Sequence, residues 1–241
     1  MILISLRKVL NNASLPSEIC LNGSNIKLSQ TVRNLGVTVD QTLSFQQHIS
    51  NVCRTCYLEL RRISTIRHYL SEDTTKTLIC AFALSRFDDC NALLSGSPKH
   101  LLDRLQKVQN NAARLIYRSS KFSHVTPLLH TLHWLPTEKG IDFKLASLCF
   151  KFLNGSAPTY LSDLLRLHIP FQQLCPLPDI RVFRIPSFRT KSSGQRSFSY
   201  HAPTTWNKPP TAIRHVSSVS SFRSSLKTFL FSKTCSSVPL P

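Results

Sequence analysis

Along the chain, the pattern of apolar and polar positions changes character twice. Up to residue 43 it is that of short strands. Ile2-Leu3-Ile4 is a brief apolar run, Asn22-Gly23 stands between two strand-like pieces, and Val32 to Val39 alternates around Leu35-Gly36-Val37. Asn-Gly favours the tight turn that joins antiparallel strands, so a hairpin is expected there.

From Ser44 the spacing becomes helical. Ser44 is placed to cap a helix whose apolar seam is Phe45, Ile49, Val52, Cys56, Leu60 and Ile63, in steps of three and four. Ser71, followed by Glu72-Asp73, opens a second helix expected to run to about Leu94. Ser97-Pro98 opens a third, to about Tyr117. A short helix around Thr126 to Leu132, one from Pro136 to Asn154-Gly155, and another from Thr159 to Leu167 follow.

After Pro170 the texture shifts again. Residues 170–241 hold ten Lys and Arg against one acidic residue, Asp179, and are rich in Ser and Pro. Only Ser217 to Lys233 is clearly amphipathic there, through Val219, Phe222, Leu226, Phe229 and Leu230. The expectation is a mainly α fold in three parts: a β element at 1–43, a helical domain at 44–169, and a loosely structured basic extension at 170–241.

Charge narrows the function. Thirty Lys and Arg against twelve Asp and Glu give a net charge of +18 over 241 residues. Such an excess favours a polyanionic partner, nucleic acid or an anionic membrane surface. The apolar runs, such as Leu78–Leu84 and Leu145–Leu153, fall far short of the roughly 20 residues a spanning helix needs. Residues 1–6 lack the basic start and cleavage site of a secretory leader. A nuclear or cytoplasmic protein, not secreted and without a membrane partner, is expected. The eight cysteines are scattered, several on apolar helical faces, and read as reduced core thiols.

The third helix has an informative geometry. At about 100° per residue, Leu101, Leu105, Val108, Ala112, Leu115 and Ile116 share one face. Arg104, Lys107, Arg114, Arg118 and Lys121, joined by Asn111, form a separate stripe. Cations so aligned repel one another, and a phosphate backbone relieves that cost; a solvated helix face is the simpler alternative. On the first helix Arg54, Arg61 and His68 repeat the pattern at intervals of seven.

Other motifs carry less. Asp88-Asp89 lies within a helical pattern, not in the strand–turn–strand hairpin that presents paired metal-binding carboxylates. Cys53-x-x-Cys56 has no second ligand pair at zinc spacing, and Cys56 belongs to the apolar seam. There is no Gly-rich phosphate loop and no constellation for a hydrolytic triad. Neither a cofactor, a metal nor a small-molecule substrate is expected. Trp134 and Trp206 are read as pins at helix junctions in preference to base-stacking platforms.

Several stretches resemble LINE-type (non-LTR) retrotransposon reverse transcriptases of the jockey-like and related clades. They are Val32–Asp40 with Leu43-Ser44-Phe45 and His48-Ile49, then Ser85–Leu94, Leu105–Ile116, Leu132–Pro136, Ala157–Leu161, Gly194–Tyr200, Trp206-Asn207 and Phe222–Leu230. Order and spacing are kept over nearly the whole chain. The resemblance implies the region that follows the catalytic palm: Leu35-Gly36 as the primer grip, the helices after Ser44 as a thumb-like bundle that clamps the template–primer duplex, and a post-thumb region. It implies RNA and RNA–DNA duplex as partners and no catalytic carboxylates in this chain, hence no polymerase activity of its own.

The sequence departs from the family at Asp89, where Tyr is usual, at Gly140, where Arg is usual, at Pro209-Pro210, and at Gln173–Pro176. Two other readings accompany the duplex-binding one: a translated relic with no selected activity, and a module that binds another protein.

Overall fold

A computed structural model describes residues 2–5, 10, 18–168, 181–188 and 194–235. The fold is mainly α, with two small antiparallel strand pairs near the N-terminus. Gln173–Pro176, Asp179 and Cys175 lie outside the described residues. The chain divides into two compact units, residues 1–90 with 97–108 and residues 91–96 with 109–241.

In the first unit β1 (Glu18–Leu21) pairs with β2 (Ser24–Lys27) across Asn22-Gly23, and β3 (Thr31–Asn34) pairs with β4 (Val37–Asp40) across Leu35-Gly36. Both turns place their two central residues at positive φ: 48° and 78° in the first, 46° and 85° in the second. That matches the two-residue turn whose twist suits flanking strands. Asn tolerates the left-handed region, whereas Leu there costs about 1–2 kcal/mol. Ile2-Leu3-Ile4 forms no strand; residues 2–5 are irregular, with the Ser5 amide donating to the Gln41 carbonyl at 3.0 Å.

Helix α1 (Gln46–Ile66) starts from Phe45, itself at φ 55°, so the cap is one residue later than Ser44. The start is knotted by Asp40. Its carboxylate accepts from the amides of Thr42 (3.0 Å), Ser44 (2.9 Å) and Phe45 (2.8 Å) and from both hydroxyls, at 2.8 and 2.9 Å. Burial alone would raise the Asp40 pKa, but these donors hold it below the usual carboxylate value. The buried seam of α1 is His48, Ile49, Cys53, Cys56, Leu60 and Ile63; Val52 is only half-buried.

Helix α2 (Glu72–Ile79) begins where expected, with the Ser71 hydroxyl accepting from the Thr74 amide at 3.2 Å. It does not run on as one α-helix to Leu94. A π-helical turn at Cys80–Leu84 leads into α3 (Ser85–Asp88), and the path breaks at Asp89, extended, and Cys90, at φ 56°. The π turn keeps Ile79 and Ala83 fully buried, and the Cys56 thiol donates to the Ala83 carbonyl at 3.3 Å. Helix α4 (Lys99–Tyr117) contributes Leu101, Leu105 and Val108 to this unit.

The second unit holds the rest of α4, where Ala112, Ala113 and Ile116 are buried, together with α5 (Thr126–Thr131), α6 (Thr137–Leu153), α7 (Thr159–Ser162), α8 (Phe198–Trp206), α9 (Thr211–Arg214) and α10 (Val219–Cys235). Its centre is aromatic. Phe150 of α6 stacks on Phe222 of α10 with centroids 4.2 Å apart, and Trp206 lies 5.5 Å from Phe222 and 6.0 Å from Phe183. Trp206 Nε1 donates to the Arg181 carbonyl at 2.6 Å, and Asn207 brackets Phe183 by accepting from its amide (3.1 Å) and donating to its carbonyl (2.9 Å).

Phe183, Trp206 and Phe222 are at most 1% exposed. The described residues of 170–241, expected as a loose extension, therefore supply much of this core. Burying each large aromatic contributes roughly 1.5–3 kcal/mol or more, which offsets the entropy of ordering a Ser- and Pro-rich segment.

No helix among the described residues is long and apolar enough to cross a membrane.

Candidate nucleic-acid interface

The β3–β4 hairpin stands on the N-terminal half of α1 through two bonds. The Thr38 amide donates to His48 Nδ1 at 3.3 Å, and Asn51 Nδ2 donates to the Thr38 hydroxyl at 3.4 Å. Val37 is buried beneath the hairpin, while Leu35 at its tip is 90% exposed. Burial pushes the His48 pKa down, with the charge of Asp89 opposing, so the imidazole is held neutral and its Nδ1 serves as an acceptor.

Between hairpin, helix and the end of α3 lies a cleft of about 530 Å³. Arg33 and Gly36 line it from the hairpin, Arg54 and Leu58 from α1, Arg86 from α3 and Asp89 from the break that follows it. All three arginines are exposed, and none of the three forms an ion pair among the described residues, unlike Arg62, which pairs with Glu59 at 3.1 Å. Three guanidinium groups against one carboxylate leave the cleft with a net positive charge. Each guanidinium presents a fork of donors that suits a phosphate or carboxylate bidentately.

Gly36 and Arg54, both expected at the site, come together here; Arg33 and Arg86 join them unexpected. Arg33 left no periodic signal, because a single cation on a four-residue strand makes no stripe. Arg86 was concealed by the assumption of an unbroken α-helix through residues 80–84.

The other expected cations are distributed differently. Arg61 is exposed on α1, two turns beyond Arg54. Arg104 is half-buried, its Nη1 donating to the Ser50 hydroxyl of α1 at 3.1 Å, and Lys107 is exposed; both belong to the first unit. Asn111, Arg114, Arg118 and Lys121 belong to the second. Asn111 is exposed, and Arg114 is half-buried with Nη2 donating to the Ser123 carbonyl at 3.2 Å.

The helical stripe does not reach its last two members. Helix α4 ends at Tyr117, and Arg118 takes a left-handed conformation at φ 50° while the Ser119 amide donates back to the Arg114 carbonyl at 3.0 Å. This is how a helix satisfies its last carbonyls, and it turns Arg118 and Lys121 out of helical register. Lys121 instead places its ammonium 4.9 Å from the centre of the Phe122 ring.

The motifs set aside as non-catalytic fall in structural places. Asp88 ends α3 and Asp89 is extended, so the pair spans a helix end and not a strand hairpin. Cys53 and Cys56 are buried in the α1 seam; burial raises both thiols, Cys56 to about 11, so neither is a ready thiolate. In the second unit Cys149 is fully buried and its thiol is pushed far up by burial. Trp206 pins α8 to the core as described, and Trp134 is half-buried beside α5, its amide donating to the Leu129 carbonyl at 2.9 Å.

Comparison with protein-family models, with curated proteins and with solved structures finds nothing that matches this chain.

Proposed function

We propose that this chain binds a nucleic-acid duplex, RNA–DNA hybrid or RNA, through its phosphate backbone. In this reading it corresponds to the primer-grip, thumb and post-thumb region of a non-LTR retrotransposon reverse transcriptase, and it binds without catalysing. The observation that supports the reading is the cleft in which Arg33, Arg54 and Arg86 face one space with Asp89 as its one carboxylate, and none of the three forms an ion pair among the described residues.

The mechanism is electrostatic. Each phosphate neutralised by a guanidinium releases condensed counterions, so affinity falls steeply with salt and depends little on sequence. Arg61 and Lys107 add exposed charge in the same unit. Leu35 at the hairpin tip, next to Gly36 in the chain, offers an exposed apolar contact of the kind that packs on bases.

The test is binding to a labelled RNA–DNA duplex across a salt series. An Arg33→Glu/Arg54→Glu/Arg86→Glu variant is compared with an Arg104→Glu/Lys107→Glu/Arg114→Glu variant. If the cleft contacts three phosphates, its variant lowers the slope of log affinity against log salt by about 2–3 and weakens binding at low salt. Parent-like binding by both variants, or no binding by the parent, defeats the reading.

A second reading, a module for binding another protein, is favoured by Leu58 and Phe82, each 51% exposed on the first unit. It expects a protein partner whose affinity hardly changes with salt.

A further inference from the structure

In the second unit a separate pocket of about 380 Å³ opens between α6, the end of α8 with residues 208–209, and α10. Its floor is apolar. Ala146, Pro209, Leu226 and Leu230 are buried there, and Phe229 is half-buried. Its rim is cationic: Lys139, Lys208 and Lys233 line it with a single carboxylate, Asp142.

Asp142 is already engaged by Lys139 at 3.3 Å. Lys208 and Lys233 are both exposed and make no ion pair within the described residues. Lys233 holds its ammonium 5.8 Å from the centre of the Phe229 ring, which keeps a positive charge at the edge of the apolar floor.

We infer that this pocket binds a small amphipathic carboxylate, of the class of a medium-chain fatty acid, with its tail on Leu226, Phe229 and Leu230 and its head between Lys208 and Lys233. The volume falls within the range, roughly 300–1,000 Å³, of sites that enclose small ligands. The composition argues against a nucleotide. Thr205 is the sole uncharged polar side chain of the lining, so base edges would lose their hydrogen bonds to water and find few in return. A saturated tail asks for none, and its transfer from water onto the floor is favourable. An acidic head answers the two lysines, and a cationic head would be repelled by them.

The experiment is isothermal titration calorimetry of the full chain with dodecanoate, below its micelle concentration, beside dodecyltrimethylammonium. Saturable one-to-one binding of dodecanoate is expected, with little binding of the cationic surfactant. Lys208→Glu/Lys233→Glu should weaken dodecanoate about tenfold or more, and Lys208→Gln/Lys233→Gln by less. Lys151→Glu/Lys227→Glu, which changes the charge equally but outside the pocket, should leave it unchanged. Equal binding of the two surfactants, absence of a saturable site, or parent-like affinity in both Lys208/Lys233 variants overturns the inference.

Discussion

The Thr38 amide donates to Nδ1 of His48 at 3.3 Å, so the imidazole must stay unprotonated at that nitrogen for the hairpin to remain seated on α1. His48 is 8% exposed, and burial holds its pKa below the ordinary 6.5. The unfolded chain therefore binds more protons than the folded one as pH falls through 6.5, and stability present above that pH is lost below it. His201 is depressed in the same direction, by burial first and then by Lys208 and Arg196, with Asp142 opposing. Melting temperature should fall between pH 7.5 and 5.5. In His48→Asn, which keeps an acceptor but takes up no proton, the fall should be shallower. An unchanged pH profile in that variant would show that the hairpin does not depend on a neutral imidazole.

Asp40→Ala should destabilise the first unit by about 2 kcal/mol, because it strips the acceptor from three backbone amides at the start of α1. Denaturant unfolding followed by circular dichroism measures this. Asp40→Asn, which retains one acceptor oxygen, should lose less.

Two Gly→Ala substitutions should act with opposite sign. At Gly96 φ is +67° and a Cβ would press on His201 Nε2, so Gly96→Ala should cost about 2 kcal/mol. At Gly140, early in α6, a Cβ meets nothing within 4 Å, and Gly140→Ala should stabilise by about 0.5–1 kcal/mol. Denaturation midpoints of the two variants should move in opposite directions.

Trp206→Ala should remove about 3–5 kcal/mol, a large share of the roughly 5–15 kcal/mol by which a domain is stable. Trp206→Phe should cost less, since it keeps ring packing but leaves the Arg181 carbonyl without its 2.6 Å donor. Limited proteolysis should cut the Trp206→Ala chain within the second unit and leave peptides of the first unit protected.

Much of the fold was legible from spacing. The Asn22-Gly23 turn, the Ser71 cap and the seam through Ile49, Cys56, Leu60 and Ile63 all follow from local chemistry that a sequence carries openly. What stayed hidden was non-local. Trp206 was legible as a pin, whereas Phe183 sits in a Ser- and Pro-rich stretch with weak periodicity, and its burial depends on Phe152 and Trp206, both distant from it in sequence. The cleft was half legible. Gly36 and Arg54 could be chosen from motif and stripe, whereas Arg33 and Arg86 join them only through pairing and a helix irregularity. Arg118 and Lys121 were put on the helical stripe although they follow Tyr117, where the helix was expected to end and does end.

The π turn at Cys80–Leu84 bears on how this chain tolerates insertion and deletion. Such a turn holds one residue more than an α-helical turn needs. Deleting one residue there would restore regular α-helix without disturbing composition or charge. Everything downstream would keep nearly its present direction relative to Ile79 and Thr75, which are anchored in the core, because four α-helical steps turn the chain about as far as five π-helical ones. Arg86 and Asp89 would then stay at the cleft. A single codon lost in this stretch would thus be absorbed, whereas one lost in the regular turns of α2 would swing Arg86 about 100° away from the cleft, a lesion visible in binding before it is visible in helical content.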